Sequence, residues 1–449
     1  MRVPPIPHRA RPALLAAAAV ATLCPTFAHA EETADALSLS GDTRVMVEAY
    51  DNGFRAGSPA ADQVLFVRTQ LYASWRQGSV EIGAELLDGR AYGDDLATPI
   101  TASDVNALEL AQAYVAVDVA DQWRVVAGRQ IFDLGSKRLF ANPGYRNAPN
   151  AFTGVRAEWD GGDAGKATLF YMLPQDRLPS DKPSIVANDV AVDRESFDLA
   201  IWGGIVSRPL PGKITAEFYV FGLDERDNAR RATRNRHLMT PGFRVLRKPA
   251  RQAWDFELEL AGQFGNIRRS TAATAPVQRV AAWTGHAEAG YSFASPIKPR
   301  LAVLADWATG DDAGSGKYER FDPLYGPRRG DWNPTGTYGP LGRANIRSLG
   351  LKLEAKPAKG VDTFVTWRRL WLDSANDAFS FTRLTSATGS AGRNAGSQVE
   401  TRLRWWILPD RLQLELGGAL LLKGPFFAAF STVPADDTTF GYSALTISY

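Results

Sequence analysis

The fold is decided by the segment Trp254-Asp255-Phe256-Glu257-Leu258-Glu259-Leu260. Apolar and acidic residues alternate strictly along it, and successive side chains of an extended strand point to opposite faces. One face of this strand is therefore wholly apolar, and the other carries three carboxylates. Such contrast is typical of a strand that separates an apolar environment from water.

The same alternation recurs in segments such as 64–75 and 412–422. Soluble β-sandwiches also alternate, so the length of the segments and the pattern of the connectors must decide. Many segments reach the roughly 9–11 residues that cross a bilayer obliquely. Short and long connectors also take turns along the chain, as in outer-membrane barrels with short periplasmic turns and long outer loops. The pattern predicts an all-β protein, a transmembrane β-barrel of the outer-membrane type.

The connectors also give the number of strands. Eight short turns and nine longer connectors imply eighteen antiparallel strands, and an even number places both termini on the periplasmic side. The last residue, Tyr449, shares a face with Leu445 and Ile447, an aromatic ending that is typical of bacterial outer-membrane barrels. The short turns are expected near 77–78, 120–121, 161–162, 209–211, 248–249, 296–298, 357–359 and 409–410, and the longer connectors near 51–62, 93–104, 133–151, 175–194, 224–237, 266–277, 310–344, 373–396 and 423–437.

Residues 1–30 have the features of a secretory signal. Three arginines open the chain, the apolar run Leu14–Leu23 follows, and Ala28-His29-Ala30 is a small-residue cleavage site. The apolar run is too short to span a membrane as a helix. We expect export by the Sec pathway, cleavage after Ala30, and a single barrel domain over residues 31–449 in the outer membrane of a Gram-negative bacterium.

Charge and cysteine content exclude several classes of protein. Removing the three signal arginines from 51 basic residues leaves 48 against 49 acidic residues, so the mature chain has no general affinity for nucleic acid. The only cysteine, Cys24, lies in the signal, so no disulfide is expected in the mature protein. No later run of about 20 apolar residues exists that could form a membrane-spanning helix.

Several blocks of the chain resemble the alginate export family of outer-membrane proteins. They follow one another in the same order as in that family. They are Arg68-Thr69-Gln70-Leu71, Val126-Ala127-Gly128-Arg129-Gln130, Arg138-Leu139, Phe152-Thr153-Gly154-Val155-Arg156, Trp254 to Glu259 with Gly262-Gln263-Phe264-Gly265, and Phe321-Asp322-Pro323-Leu324-Tyr325. The resemblance implies a monomeric eighteen-stranded barrel whose pore-lining arginines, with nearby carboxylates, pass a uronate polymer. It carries that role to Arg68, Arg129, Arg156, Arg402 and Arg404.

The polar face of each strand predicts which residues line the pore. Guanidinium groups stay charged and bind carboxylates in bidentate fashion, so a ladder of them offers an anion many weak sites. Arg402 and Arg404 should lie about 7 Å apart on one face, with Glu400 moderating their charge. The alternative is that arginine–glutamate ladders only brace the wall. The predicted pore-lining set is Arg44, Arg68, Arg129, Arg156, Arg244, Lys352, Arg402, Arg404, Glu48, Glu158 and Glu400.

Two assignments stay open at this point. Arg129 shares its parity with Val125 and Ala127, so it faces the lumen only if a bulge shifts the strand. One of the neighbours Arg368 and Arg369 must face inward.

Enzymatic and metal-binding readings find little support in the sequence. The motifs HExxH and GxSxG and a Cys/His metal set are absent. No cofactor is expected, although Asp311-Asp312 and Asp436-Asp437 could bind Ca²⁺ in outer loops. The long connector 310–344 is rich in Gly, Pro, Tyr and Arg, and it is either a gate over or inside the lumen or a loose surface loop.

The favoured function is passive passage of an anionic solute, such as an alginate-like polysaccharide or its fragments, with periplasmic secretion partners. The first alternative is a general or substrate-induced porin that takes up small molecules. The second is an outer-membrane enzyme or adhesin. Further expected partners are outer-membrane lipid and lipopolysaccharide.

Overall fold

Within the described residues, 36–312, 314–327, 329–332, 336–339 and 341–449, a computed structural model of the chain forms eighteen β-strands. The expected signal at 1–30, with Cys24, lies outside these residues. The strands are β1 (Ala36–Asp51), β2 (Asp62–Gln77), β3 (Val80–Tyr92), β4 (Asn106–Ala120), β5 (Trp123–Gln130), β6 (Phe152–Asp160), β7 (Lys166–Pro174), β8 (Leu199–Leu210), β9 (Ile214–Glu225), β10 (His237–Arg247), β11 (Ala253–Arg268), β12 (Val277–Ser292), β13 (Arg300–Ala308), β14 (Ile346–Ala358), β15 (Val361–Trp371), β16 (Asn394–Leu408), β17 (Leu412–Lys423) and β18 (Thr438–Ser448). Short helices are α1 (Lys182–Val186), α2 (Arg329–Trp332) and α3 (Pro425–Ala428), with one 3₁₀ turn at Gly162–Ala164.

The strands form one closed antiparallel barrel. Each strand pairs with the next along the chain, and β1 pairs with β18 from Asp42 opposite Ser448 to Asp51 opposite Thr439. The eight short turns and nine longer connectors fall where the sequence predicted them. Both ends of the strand series lie at the short-turn end, which faces the periplasm in outer-membrane barrels. The predicted fold is confirmed.

The alternation seen in the sequence becomes the two faces of the wall. Along β11, Trp254 and Leu258 are exposed on the outside, whereas Asp255 and Glu259 are buried inside the barrel. Other strands repeat this arrangement, so the outer surface is a belt of exposed apolar side chains suited to lipid. Among the described residues, no helix is long and apolar enough to cross a membrane.

Two long connectors, 131–151 and 309–345, fold into the outer half of the barrel. Phe140 is fully buried, 5.0 Å from Phe221 and 5.9 Å from Tyr325 between ring centroids. The Tyr325 amide donates to the Leu139 carbonyl at 2.9 Å, which joins the two connectors. The buried part of connector 309–345, which includes Phe321 and Tyr338, thus lies inside the lumen, as one of the two alternatives expected, whereas residues 314–317 are exposed.

A third connector completes the wall where the strands are short. Pairing between β4 and β5 ends at Ala113 opposite Arg129, although β4 begins at Asn106. Connector 175–198 covers the unpaired edge of β4: Val190 forms a parallel bridge with Ala107. Glu109 of β4 shows how the junction is held: it accepts hydrogen bonds from Arg129 of β5 and from the Asp193 amide of the connector.

Candidate functional site in the barrel lumen

Two arginines share one carboxylate in the lower half of the lumen. Alternation along β16 points Arg402 and Arg404 inward, and it leaves Trp405 exposed on the lipid face. Arg402 Nη2 donates to Asp362 Oδ1 at 2.9 Å, and Arg404 Nε donates to Asp362 Oδ2 at 3.1 Å. These are charge-assisted bonds. One negative charge set against two positive charges leaves the trio with a net charge of +1.

This trio lies where three cavities meet. A cavity of about 1100 Å³ at the periplasmic mouth is lined by both arginines. Arg402 also lines a cavity of about 380 Å³ below Arg138 and Arg343, and Arg404 lines one of about 270 Å³ beside Arg68. The two guanidinium groups therefore lie between the mouth cavity and the two inner cavities.

Lys352 lies next to this trio, across an aromatic ring, in an ion-pair network in which Arg300 also binds Asp255 and Glu288. Lys352 Nζ lies 2.8 Å from Glu354 Oε1, and Arg300 Nη1 lies 2.7 Å from Glu354 Oε2. The Phe364 ring has Lys352 Nζ at 5.6 Å and the Arg402 guanidinium carbon at 5.1 Å from its centroid. The wall thus presents an apolar ring between two cations, an arrangement that suits an organic anion.

The mouth cavity as a whole is electropositive. Its lining contains six basic side chains and two acidic ones, and a cleft with one dominant sign of charge concentrates ions of the opposite sign. The basic residues are Arg251, Lys298, Arg300, Lys356, Arg402 and Arg404, and the acidic residues are Glu354 and Asp362.

Other predicted pore residues face inward but are paired with carboxylates of the same or a neighbouring strand. Their ion pairs match the bracing alternative, since each guanidinium already has at least one carboxylate partner. The pairs are Arg68–Asp42 at 2.8 Å, Arg156–Glu158 at 3.3 Å, Arg244–Glu217 at 3.1 Å and Arg244–Glu257 at 3.0 Å.

The inward connectors cover three predicted pore residues in part or in full. Glu48 is 0% exposed and accepts hydrogen bonds from Thr337. Arg44 donates to the Gly144 carbonyl at 2.9 Å and so anchors connector 131–151. Glu400 is 3% exposed and accepts a hydrogen bond from Gln398 at 2.7 Å. The prediction that Glu48 and Glu400 line open lumen is wrong, because connector 309–345 covers them.

The prediction that Glu400 moderates the two arginines is wrong as well, because Asp362 has that position. Arg129 also departs from the predicted set: it lies at the junction with connector 175–198, bound to Glu109 at 2.6 Å and Glu195 at 2.9 Å. Gly128 beside it has a φ of 123°, a left-handed value that interrupts the strand's alternation.

Of the neighbours Arg368 and Arg369, Arg368 faces inward. It is buried and binds Asp306 at 2.7 Å, and Asp306 in turn binds His286 Nδ1 at 2.7 Å. His286, Asp306 and Asp331 offer ligand atoms within 4.8 Å of one another. Arg138 also binds Asp331, at 3.1 Å. Guanidinium groups therefore already neutralise these carboxylates, and the cluster fixes connector 309–345 to the wall.

The acidic side chains of the outer loops accept hydrogen bonds from backbone amides. Asp311 accepts from the Glu319 amide at 2.9 Å, and Asp437 accepts from the Lys423 amide at 2.8 Å. Calcium at these positions stays a prediction.

Comparison with known proteins identifies the family of the chain. Residues 35–439 match the alginate export family. The chain belongs to this family. No curated protein matches it in sequence. The match to the alginate export family confirms the resemblance noted in the sequence.

Solved structures with a similar fold include outer-membrane proteins of Pseudomonas aeruginosa. OccK8 (OprE) is 11% identical with a TM-score of 0.61 over 92% of this chain and 98% of that one. OccK5 (OpdH) is 13% identical with a TM-score of 0.57 over 92% and 97%. OpdK solved with vanillate is 12% identical with a TM-score of 0.58 over 92% and 99%. Identities this low show a shared fold alone. Family and fold are those of outer-membrane channels and not of enzymes.

Proposed function

We propose that this alginate export family channel passes organic anions by passive diffusion, and that its substrates are carboxylated sugars, either an alginate-like polymer or its fragments. The observation that carries the proposal is the pair Arg402 and Arg404 around Asp362 at the junction of the cavities. Lys352 and the Phe364 ring extend the same surface. Of the predicted set, Arg402, Arg404 and Lys352 have the positions that best suit contact with a solute.

The shared carboxylate suits a site that must bind and release. A substrate carboxylate would compete with Asp362 for Arg402 and Arg404, whose planar guanidinium groups bind carboxylates in bidentate fashion. Because Asp362 competes with the solute, each contact stays weak, and conduction needs sites that an ion can leave. Two strand rises separate the arginines by about 7 Å, which suits adjacent groups of an extended anion.

The test is the reversal potential of the purified channel in planar bilayers under a salt gradient. Arg402→Ala combined with Arg404→Ala should shift the channel toward cation selectivity, most strongly at low salt, where screening is weakest. Arg402→Lys combined with Arg404→Lys keeps the charge and should keep the reversal potential. If the folded double alanine variant keeps the original reversal potential, the arginines are wall braces and the proposal fails.

One observation favours the alternative function, uptake of small molecules. Connectors 131–151 and 309–345 pack against each other inside the outer half of the barrel, around Phe140 and Tyr325, and so occupy part of the path of a long polymer. OpdK, which shares the fold, was solved with vanillate, a small carboxylate. Liposome swelling with uronic acid monomers and with longer oligomers separates the two functions, since a small-molecule porin admits the monomers alone.

A monomeric state, contact with lipopolysaccharide and periplasmic secretion partners accompany this proposal as predictions.

A further inference from the structure

One sector of the periplasmic end is strongly basic. The segments 208–213, 247–252, 293–299, 356–360 and 408–411, which join the strands from β8 to β17, carry eight exposed basic side chains and one exposed acidic side chain, Asp410. No ion pair joins any of the eight to an acid of the described residues. They are Arg208, Lys213, Lys248, Arg251, Lys298, Lys356, Lys359 and Arg411, and we call them the basic arc.

The opposite sector of the same end has the reverse balance. A cavity of about 720 Å³ there is lined by four acidic side chains, Asp118, Asp121, Glu158 and Asp160, and by two basic ones. Both basic side chains are paired: Arg124 with Asp118 at 2.9 Å and Lys166 with Asp160 at 2.7 Å. The basic arc is thus a local feature, and short turns in general do not explain it.

The basic arc continues into the lumen. Arg251, Lys298 and Lys356 line the mouth cavity together with Arg402 and Arg404. These three cations therefore face the path of a solute as well as the periplasm. A lipid headgroup stays in the surrounding leaflet, and the rigid surface of a folded protein stays outside the mouth. Neither ligand can therefore contact the turns and the lumen arginines together.

We propose that the basic arc captures a linear polyanion in the periplasm and directs it to Arg402 and Arg404. The inference rests on the proposed function and adds to it the side of capture and the need for many charges. Eight strand spacings of 4.7–4.9 Å separate the first turn of the arc from the last, roughly 40 Å along the sheet. A small anion covers one such charge at a time, whereas an extended carboxylated chain contacts several.

The test is side-specific block of single-channel current by a purified oligogalacturonate long enough to span several turns. Blocking events should be more frequent when the oligomer is added at the short-turn end. The triple variant Arg251→Gln, Lys298→Gln, Lys356→Gln should lower their frequency about tenfold, within the range of electrostatic steering. Reversal of the same three charges to Glu should lower it further.

A matched control changes three exposed basic residues of the outer loops, Arg230, Arg269 and Lys317, to Gln. It removes the same charge and should leave block from the short-turn end unaltered. The inference is overturned if the oligomer blocks equally often from both sides, or if neutral dextran blocks as often as the oligomer. It is also overturned if the frequency of blocking events depends on the charge of the lipid and is the same in the triple variant. A triple variant with unaltered block, beside a double alanine variant of Arg402 and Arg404 with a shifted reversal potential, would refute the basic arc and keep the proposed function.

Discussion

The carboxylate of Glu48 in β1 accepts two hydrogen bonds from Thr337, one from the backbone amide and one from Oγ1, both at 2.8 Å. Thr337 belongs to connector 309–345, and 289 residues separate the two partners along the chain. Both side chains are buried. This contact ties the connector to the wall on the side of the barrel where the first and last strands meet.

Replacing Glu48 with Ala should loosen this connector. The change leaves two buried donors of Thr337 without an acceptor, which costs about 1–3 kcal/mol. We expect a larger and noisier single-channel conductance, because the connector occupies the lumen. The matched control is Glu85→Ala: Glu85 is also buried, but its partners Gln70 and Gln112 lie on neighbouring strands. If both variants give the same conductance as the original channel, the connector does not limit flow.

The exposed tip of the same connector should be reachable from outside the cell. Ser315→Cys places a thiol at an exposed position, whereas Thr337→Cys places one in the buried part. A membrane-impermeant maleimide applied to intact cells should label the first variant and leave the second unlabelled. Labelling of residue 315 only after the periplasm is opened would invert the assigned orientation of the barrel.

Local signals explain why the barrel could be predicted from the sequence. Alternation in β11 depends on side chains two residues apart, and turns such as the one near Pro209 depend on a few adjacent residues. Parity also identifies inward residues such as Arg402. Parity could also have identified Asp362, which shares a face with Arg368 along β15 but is absent from the predicted pore-lining set.

Height within the barrel could not be predicted in this way. Glu400 and Arg404 share a strand and a face, yet the first is covered by a connector and the second lines a cavity. The difference depends on which connectors fold inward, and those contacts join residues far apart in sequence. Arg129 shows the same limit, because its partner Glu195 belongs to a connector 66 residues away.

Connector 175–198 should become less stable as pH rises toward neutrality. Burial raises the pKa of Asp193 from its ordinary value to about 6, partly opposed by a hydrogen bond from the Leu178 amide. A raised carboxyl pKa means that the folded connector holds the proton more tightly than the unfolded chain. The stabilisation that protonated Asp193 gives the folded connector is therefore complete below the unfolded pKa, near 3.9, and is lost as pH rises through about 6.

Hydrogen exchange, corrected for the intrinsic effect of pH, can measure this loss. Peptides covering 178–193 should exchange faster at pH 7 than at pH 5, and Asp193→Asn should remove the difference. Connector 226–236 is the internal control, since a hydrogen bond from Arg268 lowers the pKa of Asp227 to about 2, so that carboxyl does not titrate in this range. Equal protection of 178–193 at both pH values would contradict the prediction.

Replacing Asp362 with Asn should strengthen anion binding at the two arginines. The amide is close to the carboxylate in shape but carries no charge, so Arg402 and Arg404 lose their shared counter-ion. The reversal potential should shift toward greater anion selectivity, the direction opposite to that of the double alanine variant. Removing a competing charge at about 3 Å changes an interaction on the order of 1 kcal/mol or more. A bound uronate should therefore stay about tenfold longer, measurable as longer blocking events.

Asp121→Asn is the matched control for this change. Asp121 lies exposed at the same end of the barrel but in the acidic sector, and it lines the cavity that holds neither arginine. The substitution Asp121→Asn removes the same charge as Asp362→Asn, so a general effect of net charge would appear in both variants. If Asp362→Asn lengthens the blocking events and Asp121→Asn does not, the shared carboxylate sets the release of the anion. If neither does, Asp362 only braces the wall, and release must depend on other contacts along the lumen.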